Sequence, residues 1–449
     1  MERRDFLKYM GVGSAAALAA CAGKKSNEGV AIGEPSMGQM TYRTNPKNND
    51  KVSLLGYGMM RLPNLPDSED FDQEMINREV DYAIEYGVNY FDTSPVYCKG
   101  LSERCTGIAL SRHKREEYFV ATKLSNFGDA SREASMKMYK DSFKELQVDY
   151  IDYYLLHAIG GSMEEFKKRY VDNGMMDFLM QEREAGRIRN LGFSFHGQKE
   201  VFDEVLAMNE QYQWDFVQIE LNYLDWDYAN EINSFNVDAS YLYAELEKKG
   251  IPAVIMEPLL GGRLVKDLPQ YAINELKQRD PQKSIASWAF RYAGTPEGVL
   301  TVLSGMTFME HLKDNLISYC PLVPLTEEEQ RFLDTEIAQQ MMEMGTIPCN
   351  NCQYCMPCPY GIDIPSIFLH YNKWVVEKKL PEDKGDENYR MNRRNYLISM
   401  DRAVPRDRQP DHCIMCNHCI EVKKCPQKIR IPVELKKIAD LMEGLKIED

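Results

Sequence analysis

The chain has 449 residues, of which 44% are hydrophobic and 27% charged, and its formal net charge is −15. Such a length suits roughly two or three domains. The acidity, with no basic patch interleaved with aromatic residues, excludes a nucleic-acid partner and reads as a solvated surface. Of the twelve cysteines, eight fall into two tight quartets near the C-terminus, so their clustering carries more than their number.

Residues 1–35 read as an address rather than a fold element. Arg3-Arg4-Asp5-Phe6-Leu7-Lys8 resembles the twin-arginine export signal. The apolar stretch from Met10 to Ala20 is far short of the ~20 residues a spanning helix needs, but it suits a signal h-region. Leu18-Ala19-Ala20-Cys21 resembles a lipobox, in which Cys21 would carry lipid and become the mature N-terminus; a polar tether follows to Pro35. Gly11-Val12-Gly13-Ser14-Ala15-Ala16 also fits a dinucleotide fingerprint, but no strand precedes it, so that reading is set aside. The expected location is the periplasm or the outer face of the cytoplasmic membrane, with membrane contact through Cys21 only.

Between Val52 and Leu316, apolar β-rich runs alternate with helical patterns. The predicted strands are 53–58, 88–93, 117–123, 151–157, 188–194, 216–222, 251–257 and 299–304, with helices over 131–146, 163–186 and 237–249 among those between them. Alternation of this kind implies a parallel sheet flanked by helices. Eight units fit a (β/α)8 TIM barrel, whose usual size is about 250 residues, and we assign it to residues 40–330. An open doubly wound sheet would want a glycine-rich phosphate turn after the first strand, and Gly56-Tyr57-Gly58-Met59-Met60-Arg61 ends on the wrong residue.

A barrel places its catalytic groups at the C-terminal ends of strands. Unusual polar residues stand there: FDTSPVY offers Asp92 and Tyr97, VATK offers Lys123, and YYLLH offers His157. With GFSFHG and QIELNY, these segments resemble the aldo-keto reductase family, in order and over nearly the whole barrel. The resemblance implies that Asp92, Tyr97, Lys123 and His157 form the family's catalytic tetrad. Carbonyl reduction needs a hydride on carbon and a proton on oxygen. A phenol is a poor acid near neutrality, and an adjacent Lys123 ammonium is expected to lower the pKa of Tyr97. Asp92 would keep Lys123 charged and aimed, and His157 would orient the substrate oxygen. The resemblance also implies NADP or NAD as cofactor, with Ser194 and Gln218 at the nicotinamide carboxamide and Ser304 and Asn315 toward the phosphates and adenine. Two positions depart from the family pattern. Met256 and Glu257 stand where a stacking tyrosine is common, and His311 and Lys313 stand where an arginine often meets the 2′-phosphate.

The first cysteine quartet is Cys349, Cys352, Cys355 and Cys358; the second is Cys413, Cys416, Cys419 and Cys425. Both keep a triple spaced by twos and a final Cys-Pro, resembling the two-cluster bacterial ferredoxins. CPYGIDIP at 358–365 mirrors CPQKIRIP at 425–432, and a helix-like run follows each. The reading is a small α-helical, ferredoxin-like domain over 336–449 that holds two [4Fe–4S] clusters. By the ferredoxin pattern the last cysteine of each run serves the other cluster, which groups Cys349, Cys352, Cys355 and Cys425 against Cys413, Cys416, Cys419 and Cys358. Zinc and disulfides are the rival readings; zinc usually takes paired knuckles across a longer loop, and neighbouring CxxC bridges would be strained. Cys98, Cys105 and Cys320 read as packing thiols, and residues 377–412 as an exposed connector. Tails of this kind occur in an iron–sulfur subfamily of aldo-keto reductases, which the chain resembles throughout.

The expected function is interconversion of a small-molecule carbonyl and alcohol, a sugar among the candidates. Tyr97 is the general acid–base, and the clusters would exchange electrons with a membrane redox partner. The alternative is a catalytically weak redox-sensing or binding lipoprotein whose clusters are structural.

Overall fold

The computed structural model describes residues 33–66, 68–422 and 425–447. Arg3, Arg4 and Cys21 lie outside them. The chain opens with a hairpin, β1 (Tyr42–Thr44) paired antiparallel to β2 (Lys51–Ser53). Eight parallel strands follow: β3 (Leu55–Gly58), β4 (Tyr90–Asp92), β5 (Phe119–Leu124), β6 (Ile151–Ile159), β7 (Ile188–Phe195), β8 (Phe216–Glu220), β9 (Ala253–Met256) and β10 (Val299–Ser304). They pair in chain order, and β10 closes on β3 to complete a barrel.

All eight predicted strands are present. The hairpin was not predicted as one: residue 53 was assigned to the first barrel strand. Asp50 in its turn accepts a hydrogen bond from the Tyr153 hydroxyl at 2.9 Å, and Asn45 also reaches that hydroxyl, so the hairpin covers the N-terminal end of the barrel. Tyr90, Ala121, Tyr153, Leu155, Phe216 and Val254 fill the interior. The helices pack a larger apolar layer against the outside of the strands.

Helix Arg132–Leu146 starts at Ser131, whose hydroxyl accepts the Ala134 amide, and stops at Gln147 in a left-handed conformation. The helix predicted over 163–186 is instead broken. A short helix Met163–Phe166 widens into a π turn at Lys167–Val171, and Gly174, at φ +68°, restarts the chain into Met175–Glu184. An apolar period reads through such a break because the buried face continues on both sides of it.

Residues from Ile347 to Leu445 gather a second apolar cluster of their own. Helices Ile364–Val376 and Ile431–Ile447 follow the two Cys-Pro turns. The expected exposed connector over 377–412 needs correction. It contains helix Tyr389–Ala403, which buries Tyr396 and Met400 in this cluster and packs Tyr396 edge-on against Trp374 at 5.3 Å. Its charged residues hid this, because only a narrow stripe of the helix is apolar. Among the described residues, no helix is long and apolar enough to cross a membrane.

Candidate active site and thiol centres

Side chains alternate across a strand, and the interior set fixes the parity. Tyr90 and Asp92 face inward on β4, as do Ala121 and Lys123 on β5 and Leu155 and His157 on β6. The register pairs Asp92 with Ala121 and Lys123 with Leu155, so the tetrad residues of the strands climb together to one end. There Lys123 Nζ donates to Asp92 Oδ1 at 2.6 Å and to the Thr93 carbonyl at 2.8 Å. Both partners are almost wholly buried, 0% and 3% exposed. Burial pushes the Asp92 carboxyl up and the Lys123 ammonium down, each opposed by the other's charge.

Tyr97 follows β4 on a tight turn in which Cys98 and Lys99 are both left-handed. Its ring centroid lies 4.9 Å from Lys123 Nζ and 5.8 Å from the His157 ring. The phenol differs from expectation. Its pKa is held well above the ordinary value, first by burial and then by Tyr354, Asp92, Glu257 and Cys98. The nearby Lys123 ammonium, which donates to Asp92 and Thr93, does not bring it back to the ordinary range.

His157 sits where the pairing of β6 with β7 shifts register, beside Ala158 at φ +50°. A bulge of this kind re-aims a side chain. Two further contacts hold it: the Ala158 amide donates to Ser194 Oγ at 2.8 Å, and Arg169 donates to the His157 carbonyl at 2.7 Å. His157 Nδ1 lies 2.5 Å from Ser125 Oγ, which is in turn 2.9 Å from Ser94 Oγ. Burial, then the charges of Lys123 and Arg169, holds the imidazole well below its ordinary pKa. That direction favours the uncharged ring, and the Ser125 hydroxyl is placed to donate to Nδ1 in the tautomer that carries its proton on Nε2. Sequence reasoning missed Ser94, Ser125 and Arg169. The first two lie inside the quoted strand-end segments or directly after them, and that adjacency was the available signal.

Ser194 and Gln218 pair across β7 and β8. Gln218 Nε2 touches the Met256 sulfur at 3.3 Å, while its Oε1 is buried with no hydrogen-bond partner among the described residues. An orphaned acceptor beside Ser194 fits the N–H of a carboxamide. At the other end Asn315, on helix Met309–Tyr319, donates to Ser304 Oγ at 2.8 Å. Lys313 there is held by both oxygens of Glu34.

This arrangement can hold a carbonyl at the C-terminal ends of the strands, give its oxygen a proton and a hydrogen bond, and leave the carbon open to a neighbouring donor. Residues 54–335 match the aldo/keto reductase family. The chain belongs to that family. Among curated relatives of this reductase, L-galactose dehydrogenase of Arabidopsis thaliana is 26% identical over 318 residues, covering 66% of this chain and 94% of the plant protein. Two solved aldo-keto reductases share the fold: AKR11C1 from Bacillus halodurans (24% identity, TM-score 0.53) and one from Klebsiella pneumoniae in complex with NADPH (21% identity, TM-score 0.53). Each covers 67% of this chain, over 96% of its own length. The cysteine tail lies beyond the residues that match the family.

In the tail, the eight thiols line two cavities. One is lined by Cys349, Cys352, Cys355 and Cys425; the other by Cys358, Cys413, Cys416 and Cys419. Cys425 thus shares a cavity with the first triple, and Cys358 with the second. Among the described residues, no group of three or more His, Cys, Asp or Glu side chains converges to hold a single metal ion. The duplication extends to the backbone. Asn351 and Gln353 in the first loop are left-handed, as are Met415 and Asn417 at the same places in the second, and Gly361 matches Lys428. Alternating hands of this kind turn successive N–H groups toward one point and make an anion-binding concavity. Cys98, Cys105 and Cys320 lie outside both cavities; burial pushes all three thiols up, Cys98 to about 11 and Cys320 to about 12.

Proposed function

We propose that the protein is a nicotinamide-dependent reductase of small hydroxylated carbonyl compounds, with Tyr97 as the acid and two [4Fe–4S] clusters held crosswise in its tail. The observation that carries the reading is the buried Asp92–Lys123 pair beside the Tyr97 ring, with the His157 ring 5.8 Å from the phenol. When bound, reduced nicotinamide supplies the hydride that the carbonyl carbon gains, and is oxidised in doing so. Tyr97 gives its phenolic proton to the carbonyl oxygen. His157 Nε2–H donates a hydrogen bond to the same oxygen and fixes the plane of the carbonyl. The Lys123 ammonium steadies the phenolate left behind, and Asp92 keeps that ammonium in place.

Ser194 and the orphaned Gln218 Oε1 would hold the carboxamide, and Ser304 and Asn315 the phosphate end. NADP is the favoured form, supported by the NADPH-bound fold relative from Klebsiella. A sugar-like substrate is supported by the name of the plant relative. A panel of aldehydes, ketones and oxidised sugars, assayed with NADPH and NADH, tests the reading. Removing a general acid of this kind lowers the rate by about 10²–10⁴-fold, so Tyr97→Phe should do so; turnover unaffected by Tyr97→Phe refutes the mechanism.

The donor set of the tail fits clusters better than zinc. Four thiolates around one zinc stand ~3.8 Å apart, given a Zn–S bond of ~2.3 Å; here they line a volume rather than meet at a point, and the left-handed loops supply N–H groups to an anionic core. When bound, such clusters supply one-electron chemistry. Protein purified without oxygen should be brown, with about eight irons per chain if both sites hold [4Fe–4S]; a colourless, iron-free preparation that turns over refutes this part. Export by the twin-arginine route, with lipid on Cys21 and a membrane redox partner, completes the proposal; it is supported by the N-terminal motifs and tested by fractionation of cells carrying Arg3→Lys/Arg4→Lys.

A further inference from the structure

The cysteine tail lies across the mouth of the barrel at three anchors. Arg61, just after β3, donates to the Asn350 carbonyl at 2.9 Å and to the Asn351 carbonyl at 3.2 Å. Gly261, in the loop after β9, presses on the same turn: a Cβ there would stand 2.0 Å from the Asn350 carbonyl oxygen. Gln427 donates to Glu220, the last residue of β8, at 3.2 Å. Asn350 and Gln427 both line the first thiol cavity, so that cavity backs onto the mouth. The second cavity is bordered by exposed residues, Ile414 and Tyr360 among them.

Tyr354 belongs to the anchored loop, four residues beyond Asn350 and directly after the left-handed Gln353. Its phenol is close enough to Tyr97, Asp92 and Glu257 for their charges to bear on one another. Asp92 ends β4, Tyr97 follows it and Glu257 follows β9, so Tyr354 stands near the ends of β4 and β9, while His157 borders Tyr97 from β6. Neither the Tyr97 nor the Tyr354 hydroxyl hydrogen-bonds another described residue. The duplicated loop has His418 in the equivalent position, on the outer cavity, so the repeat itself does not require a phenol there.

We propose that Tyr354 is a wall of the substrate pocket, and that its hydroxyl hydrogen-bonds a hydroxyl group of the substrate. The proposal rests on the reading of Tyr97 as the reacting acid and adds a substrate class to it. A phenol presents an apolar face and a polar tip. It suits a neutral polyhydroxylated carbonyl compound, whose C–H groups pack on the ring while a hydroxyl meets the tip. The tail is then part of the specificity of the barrel, independently of what its thiols hold.

Glyceraldehyde and propanal share a carbon skeleton and differ in hydroxyl groups, so they isolate the contact. With NADPH and anaerobically purified full-length protein, Tyr354→Phe should lower the glyceraldehyde-to-propanal ratio of kcat/KM by about tenfold, the loss of one hydrogen bond, mainly through KM. An unchanged ratio with an active wild type overturns the pocket role alone. If the wild type reduces neither aldehyde, the proposal falls together with the reading of Tyr97. A second measurement needs no variant and no turnover: adding glyceraldehyde to the wild type with NADP+ should slow amide hydrogen exchange over residues 350–356 beyond the effect of NADP+ alone. Identical exchange in the two samples overturns the proposal.

Discussion

Removing one member of the Asp92–Lys123 pair should damage folding far more than removing both. The two charges are 2.6 Å apart and shielded from water, which at an effective dielectric constant of ~20 corresponds to an attraction of about 6 kcal/mol. Taking each ion out of water costs several kcal/mol, and the opposed displacement of the two pKa values shows burial working against both charges. The intact pair is therefore close to neutral overall. Lys123→Met leaves a buried carboxylate with no counter-charge, and Asp92→Leu leaves a buried ammonium with only the Thr93 carbonyl. Each single change should destabilise by about 3–5 kcal/mol, roughly 10²–10⁴ in the folding equilibrium. The double variant Asp92→Leu/Lys123→Met should recover at least half of that. Urea unfolding followed by tryptophan fluorescence checks it through the midpoints at constant slope. Single variants within about 1 kcal/mol of wild type, or a double variant as poor as the sum of the singles, would refute the reasoning.

Glu103 is buried, accepts a hydrogen bond from Thr122, and has its carboxyl raised by burial to about 7. A raised carboxyl contributes stability that is full below its unfolded value and is lost as pH rises through the folded one; Glu103→Gln should therefore gain on wild type between pH 5 and pH 8, by up to about 3 kcal/mol, read as the difference in urea midpoints at the two pH values. Gly261→Ala puts a methyl group against the Asn350 carbonyl at a backbone angle of φ +65°; it should loosen the tail and speed proteolysis between residues 340 and 360 while the barrel stays intact. Cys425→Ser should empty the cavity that holds Cys349, and Cys358→Ser the cavity that holds Cys413; iron analysis should find about half the wild-type content in each, and electron paramagnetic resonance should show a different surviving signal in the two variants.

The barrel was legible because each strand is a short apolar run with a polar residue at its C-terminal end, and eight such runs leave little room for another fold. The tetrad was legible for the same reason: Asp92, Lys123 and His157 are polar residues where packing alone would put apolar ones. The acidity of Tyr97 was not, since burial, which no spacing records, dominates it. Contacts such as Arg61 to Asn350 span most of the chain and use a backbone carbonyl, which leaves no trace in composition or period. Tyr354 occupied an unspecified place in a cysteine spacing, and nothing local marked it as facing the barrel. Helix Tyr389–Ala403 was hidden by its own arginines: Arg390, Arg394 and Arg402 are exposed, while Tyr396 and Met400 are not.

The exchange of a thiol between the two halves of the tail has a bearing on how the molecule is made. Three walls of the first cavity, Cys349, Cys352 and Cys355, leave the ribosome well before Cys425, and Cys358 waits equally long for the loop that begins at Cys413. A nascent chain thus offers neither cavity its four thiols until the second cysteine run has been made. The two sets close within a few residues of each other, at Cys419 and Cys425, so a product terminated before Cys413 lacks both.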